Sequence, residues 1–134
     1  VFLPLHPTAY AELLGQNLQK HPEINVWLIN TGWSGGAYGT GKRIDLKYTR
    51  AMVIAALNDE LKEVPYVSHD VFGVMKPQHC PGVPDAILNP REAWTDKAAY
   101  DLQANKLAGL FIENFKKYAD KASPSTRAGG PTIK

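Results

Sequence analysis

The segment INVWLINTGWSGGAYGTGKRI, residues 24–44, decides the fold that the sequence predicts. Its first part, residues 24–30, contains four contiguous apolar residues at positions 26–29, and such a run suits a strand that is buried on both faces. We therefore predict a central, parallel strand there. The next twelve residues, 31–42, include five glycines, which allow close backbone approach and predict a loop at the end of that strand.

Helices are predicted on both sides of this strand and loop. Apolar residues at helical spacing indicate a first helix over residues 8–20, a second that follows Thr49, and a long third over residues 95–118. A short strand over residues 43–46 is expected to lead into the second helix. The proline-rich residues 65–90 predict extended chain, turns and one or two short strands. After Asp120 the sequence offers almost nothing to bury and predicts a mobile tail, residues 121–134.

Composition excludes several classes of protein. The formal net charge is +2, with 15 basic and 13 acidic residues spread along the chain, so we expect no nucleic-acid partner. A single cysteine, Cys80, rules out an internal disulfide framework and favours a reducing compartment. No apolar run approaches the ~20 residues that span a bilayer, and we expect no membrane partner.

The N-terminal residues are not typical of a natural start. Val1 is not an initiator methionine, and neither a basic flank nor a cleavage site follows it. We therefore expect that the sequence is cut from a longer chain, and the lack of a visible targeting signal predicts a cytoplasmic location.

The strongest local motif is GAYGTGKR, residues 36–43. It fits the glycine-lysine frame of a phosphate-binding loop up to its last position, where a hydroxyl residue would coordinate Mg²⁺. Arg43 has only donors and cannot do so. Lys42 and Arg43 still make the loop suitable for an anion or nucleotide; the alternative is a tight surface loop with solvated cations.

Other reactive side chains are weaker candidates for chemistry. The four histidines, residues 6, 21, 69 and 79, have no short metal-ligand spacing, so capping and surface roles are expected. His79 and Cys80 are adjacent and would point to opposite sides of an extended chain, which argues against a catalytic thiol. Trp27 is expected in the core, and Trp33 could either pack or stack on a base.

Several motifs together resemble one family. They are LHPTAYAELL (residues 5–14), NTGW (30–33), GTGKRI (39–44), YTRA (48–51), CPGVP (80–84) and LNPR (88–91). In order and spacing they are similar to the C-terminal part of ATP-dependent phosphoenolpyruvate carboxykinases, up to about residue 118.

The resemblance implies an α/β fold, a C-terminal fragment of a mononucleotide-binding (P-loop kinase-like) carboxykinase domain with a mixed sheet and flanking helices. Residues 1–120 would belong to the ATP-binding domain. The reaction implied is oxaloacetate plus ATP giving phosphoenolpyruvate, CO₂ and ADP. The phosphate loop, the ligands of the divalent metal (Mg²⁺ or Mn²⁺) and the oxaloacetate-binding residues would lie in the upstream part of the same polypeptide, so no catalytic or metal-binding residue is expected here.

The same resemblance assigns ATP contacts to Arg43, Ile44 and Thr49. A guanidinium can lie over a purine or bond its polar edge, Ile44 can pack on it, and the Thr49 hydroxyl can donate or accept. Lys42 receives no catalytic role.

Two other functions fit the sequence. The chain could be an independent small nucleotide- or anion-binding module without catalysis, or a structural element whose long third helix packs on a neighbouring domain. Affinity for ATP in isolation would favour the first, and a large exposed apolar surface would favour the second.

Overall fold

A computed structural model describes residues 3–134 of the chain. The helices are α1 (Pro7–Lys20), α2 (Leu46–Leu57), α3 (Asp85–Leu88), α4 (Lys97–Phe115) and α5 (Pro124–Ala128), with a 3₁₀ turn at Ala119–Lys121. The strands are β1 (Trp33–Ser34), β2 (Lys42–Arg43), β3 (Tyr66–Ser68) and β4 (Met75–Pro77). They form two separate antiparallel hairpins, β1 with β2 and β3 with β4.

The first and third predicted helices are confirmed. Helix α1 begins at Pro7, which has a fixed φ suited to a first turn. Helix α4 begins after Asp96, whose side chain accepts a hydrogen bond from the backbone N–H of Ala99. The predicted second helix is also present as α2, but it starts at Leu46, three residues before Thr49. Of the short strand expected over residues 43–46, only Arg43 lies in a strand, which is β2. Leu46 already belongs to α2.

The central strand predicted over residues 24–30 is wrong, since these residues belong to no strand in the structure. Alternate side chains at Ile24, Val26 and Leu28 are 52%, 60% and 87% exposed. An apolar run becomes a strand only beside a neighbour that satisfies its backbone groups, and none of residues 3–134 pairs with it. The mixed sheet is therefore not seen either; the observed fold is a small mixture of helices and antiparallel hairpins.

The proline-rich region follows its prediction of extended chain, turns and short strands. The β3–β4 hairpin pairs Tyr66 with Pro77 and Ser68 with Met75. A turn follows, in which the Val83 N–H donates to the Cys80 carbonyl, and this turn leads to the short helix α3.

Two small clusters of buried side chains make the core. The first, called here the α2 cluster, consists of Ala55, Leu61, Cys80 and Val83, with Trp27 packed against it as predicted. The second, called the α4 cluster, contains Val71, Ala104 and Ala108. Helix α4 buries only alanines, while Leu102 on the same helix is 74% exposed.

The C-terminal segment makes contacts that the sequence did not suggest. Ala122 is the one residue after Asp120 that is buried, where the sequence predicted almost nothing to bury. The Glu12 carboxylate of α1 accepts hydrogen bonds from Ser123 N–H and Thr126 Oγ1 at the start of α5. The Thr132 N–H donates to the Val71 carbonyl at 2.8 Å. Mobility of residues 121–134 stays a prediction.

Candidate nucleotide site

The glycine-rich loop forms a tight hairpin. Trp33 pairs with Arg43 and Ser34 with Lys42, and the N–H groups of Thr40 and Gly41 both donate to the Ala37 carbonyl, at 3.0 and 2.8 Å. A Cβ at Gly41 would collide with the Gly36 carbonyl oxygen and lie 2.7 Å from that of Ser34. Glycine is needed here because two backbone segments approach each other closely.

Asn30 fixes the point where the chain enters the hairpin. Its side-chain oxygen accepts from Gly32 N–H at 2.9 Å, and its amide nitrogen donates to the Trp33 carbonyl at 3.1 Å. One step further along, Ile44 N–H donates to the Gly32 carbonyl at 2.9 Å. These bonds hold residues 30–32 beside the end of β2.

The three predicted ATP-binding residues line one pocket of about 550 Å³ at the end of β2 and the start of α2. Arg43 comes from β2, Ile44 follows it, and Thr49 lies in the first turn of α2. Arg43 is exposed, whereas Ile44 and Thr49 are half-buried. The pocket also has three members that the sequence did not single out, Thr31, Asp45 and Leu46.

Lys42 and Trp33 lie on the same hairpin but outside this pocket, among the residues that the structure describes. Lys42 is exposed. Trp33 is 42% exposed and packs edge-on against Tyr38, with ring centroids 5.2 Å apart. Of the two roles left open for Trp33, packing on Tyr38 is the contact observed.

His69 is a buried histidine whose setting the sequence did not reveal. It lies at the end of β3, where Nδ1 accepts from the backbone N–H groups of Val71 and Phe72 at 3.2 and 3.3 Å. Nε2 is 2.7 Å from the Tyr100 hydroxyl on α4. Burial lowers the pKa of His69, as does the charge of Lys76. These bonds hold a turn and not a helix end, and the burial of His69 differs from the surface position expected for the histidines.

Cys80 is also buried, at 1% exposure. Burial raises the pKa of its thiol, and the Glu60 charge adds to the effect. Because a thiolate is the nucleophilic form, this setting favours an inert thiol.

A larger cavity of about 940 Å³ is lined by residues 25–30 and extends to the β3–β4 hairpin. Its wall is mainly apolar and includes Trp27, Trp94 and Leu88, with Lys76 as one of its cations. Across residues 3–134 there is no group of three or more His, Cys, Asp or Glu side chains placed to hold a metal ion.

Comparison with known proteins decides the family. A family model described as phosphoenolpyruvate carboxykinase matches residues 1–86, more than half of the 134 residues. This chain belongs to the ATP-dependent phosphoenolpyruvate carboxykinase family. The resemblance stated from the motifs is thereby confirmed.

Curated relatives of this carboxykinase chain match almost all of it. Proteins named phosphoenolpyruvate carboxykinase (ATP) from Flavobacterium johnsoniae, Bacillus cytotoxicus and Dictyostelium discoideum are 58%, 53% and 52% identical to it over 130, 131 and 132 residues. These matches cover 97–98% of the chain but only 23–25% of each relative. The chain thus spans about a quarter of the length of these relatives, at their C-terminal end.

The carboxykinase relatives also extend the similarity into the tail, which contains none of the family motifs.

Within residues 3–134, no helix of this chain is both long enough and apolar enough to cross a membrane.

Proposed function

We propose that this chain forms the adenosine side of the ATP site in an ATP-dependent phosphoenolpyruvate carboxykinase. The complete enzyme would convert oxaloacetate and ATP into phosphoenolpyruvate, CO₂ and ADP, as a cytoplasmic lyase that serves gluconeogenesis. The observation that carries the proposal is the convergence of Arg43, Ile44 and Thr49 on one pocket of about 550 Å³. That volume is within the range of small-molecule sites, roughly 300–1,000 Å³.

Each of the three side chains suits a nucleoside. The Arg43 guanidinium is planar and permanently charged, so it can lie over a purine ring or donate to acceptors on its edge. Ile44 supplies apolar surface that excludes water from one face of the base. The Thr49 hydroxyl can both donate and accept, and its place in the first turn of α2 holds it on a rigid element.

In this proposal, the triphosphate end of the nucleotide is bound by other parts of the polypeptide. The described residues do not fit a divalent metal, because they bring no three ligating side chains together, and we assign none of the phosphoryl-transfer steps to them. ATP and ADP, oxaloacetate and the rest of the polypeptide are the proposed partners of this chain. Its own contribution is to bind and orient the nucleoside, on which the position of the γ-phosphoryl group depends.

The exposed apolar surface favours this proposal over an independent binding module. Leu28, Leu57 and Leu102 are 87%, 78% and 74% exposed, which is unusual for large apolar side chains of a self-sufficient domain when they occur on several elements. The same surface also fits a chain that only packs on a neighbouring domain. Contacts with a nucleotide are what would distinguish a binding role from that structural role.

Arg43→Ala in the complete carboxykinase tests the proposal. Loss of a cationic contact to the nucleoside should raise the KM for ATP about tenfold, with the KM for oxaloacetate changed by less than about twofold. Lys42→Ala is the matched control, because it removes a neighbouring cation on the same strand that does not line the pocket.

Three outcomes of this experiment are informative. A rise in the KM for ATP with Arg43→Ala alone supports the assignment. Equal effects on both substrates, or equal effects of the two variants, would contradict it. An amide NMR titration of the 134-residue chain with ATP tests the alternative, because binding by the chain in isolation would favour an independent module.

A further inference from the structure

The carboxylate of Asp45 does not cap the helix that follows it. It occupies the N-cap position of α2, where an aspartate side chain usually accepts from the first backbone N–H groups of the helix. No such bond is made by its side chain. The N–H groups of Tyr48 and Thr49 instead donate to the Asp45 backbone carbonyl, at 2.9 and 3.3 Å.

The same residue borders the pocket, and its carboxylate has only a weak partner. Asp45 lines the pocket with Arg43, Ile44 and Thr49. Its only ion-pair partner among the described residues is Lys47, with Nζ 3.7 Å from Oδ2. Both side chains are about two-thirds exposed, at 64% and 68%, so water screens this pair and a ligand could displace it.

An ionised carboxylate accepts hydrogen bonds and cannot donate them. Adenosine in a nucleotide offers three donor groups, the N6 amine and the 2′ and 3′ hydroxyls. The amine lies between the ring acceptors N1 and N7, which would repel a carboxylate. The two ribose hydroxyls are adjacent, so they can donate one hydrogen bond to each oxygen of a carboxylate. Unlike the amine, they are not flanked by ring nitrogens that would repel it.

On the basis of the proposed function, we infer that Asp45 is a specificity-determining residue that binds the ribose diol of the nucleotide. Acidic side chains bind ribose hydroxyls in this way in dinucleotide-binding folds. Asp45 would thereby make the site select ribonucleotides over deoxyribonucleotides. It also fixes the direction of the nucleotide, because its negative charge disfavours the triphosphate at this end of the pocket.

The test compares ATP with 2′,3′-dideoxy-ATP and ITP in the complete carboxykinase. Asp45→Ala should raise the KM for ATP and for ITP about tenfold, because both keep the ribose hydroxyls, and leave the KM for dideoxy-ATP within about twofold of the parent value. Asp45→Asn, which keeps the shape and one acceptor, should give a smaller change in the same direction. Glu63→Ala removes an exposed carboxylate outside the pocket and should leave all three values unchanged.

Other results separate this inference from the proposed function. If Arg43→Ala weakens ATP while Asp45→Ala alters the three nucleotides equally or not at all, the ribose assignment fails and the nucleoside site stands. If Asp45→Ala changes ATP and dideoxy-ATP but not ITP, the carboxylate binds the base amine and the ribose assignment is again wrong. If neither Arg43→Ala nor Asp45→Ala affects any nucleotide, both proposals fail.

Discussion

The two hairpins of this carboxykinase chain have the same antiparallel topology but opposite surroundings. The β1–β2 hairpin has two residue pairs, and its exposed Arg43 borders the proposed nucleotide site. The β3–β4 hairpin has three pairs, and its turn contains the buried residues His69 and Val71. One hairpin leaves Arg43 exposed, whereas the other is closed against the core.

Different forces hold the two hairpins. In β1–β2, Gly41 lies close to the backbone oxygens of Gly36 and Ser34, and the Asn30 side chain bonds to Gly32 and Trp33 where the chain enters the hairpin. In β3–β4 the imidazole of His69 links the turn to Tyr100 on α4, and Thr132 donates to the Val71 carbonyl from the C-terminal segment. The β1–β2 hairpin therefore depends on a glycine and on a side chain close by in sequence, while the β3–β4 hairpin depends on polar groups from distant positions.

Breaking the β1–β2 hairpin should have the largest effect on stability. Gly41→Ala places a Cβ against two backbone oxygens, which cannot move as a flexible side chain would, and should cost about 3 kcal/mol of unfolding free energy. Gly15→Ala, in the middle of α1 with no atom within 4 Å of the added Cβ, should instead stabilise by about 0.5 kcal/mol. Urea unfolding of the complete carboxykinase carrying each variant measures both, and a Gly41→Ala variant as stable as the parent would contradict the backbone contact.

Breaking the β3–β4 hairpin at His69 should have a smaller effect. His69→Ala removes the acceptor of two backbone N–H groups and leaves the Tyr100 hydroxyl without this partner, at a cost of about 2 kcal/mol. Tyr100→Phe removes only one bond and should cost about 1 kcal/mol. The same urea titrations apply; a larger loss with Tyr100→Phe than with His69→Ala would show that the imidazole does not hold the turn.

Protonation of His69 at low pH should cost less than removing its imidazole. Nδ1 of His69 accepts two hydrogen bonds and must be unprotonated, in agreement with its lowered pKa. The unfolded chain therefore binds this proton more readily than the folded one. Stability should be complete above the ordinary histidine value near 6.5 and should fall as pH decreases from there towards the lowered pKa, by at most about 1.4 kcal/mol per pH unit.

A variant without the imidazole isolates this pH effect. In His69→Asn, the unfolding free energy should no longer fall with decreasing pH to the extent that His69 causes, because Asn does not titrate. Other groups near the ring are Lys76, which lowers the pKa, and Asp70, which raises it. An unchanged slope in His69→Asn would assign the pH dependence to a different group.

Local patterns in the sequence were sufficient for the helices, and the three residues predicted to bind ATP line one pocket. Prolines and apolar spacing located α1 and α4, because the contacts that define a helix lie within four residues. Arg43, Ile44 and Thr49 were named through the family motifs, and they lie together because a short strand leads directly into a helix. Asp45 was missed, although its position between Ile44 and the start of α2 could have identified it.

The sequence by itself determined the helices, the glycine loop and the family. Each of these depends on residues that are close along the chain. The tertiary structure alone decided that residues 24–30 have no strand partner among residues 3–134, that His69 is buried against Tyr100, and that the C-terminal segment contacts α1 and the β3–β4 turn. Strand pairing and burial depend on which distant segments meet, and a periodic pattern in one segment carries no information about its partner.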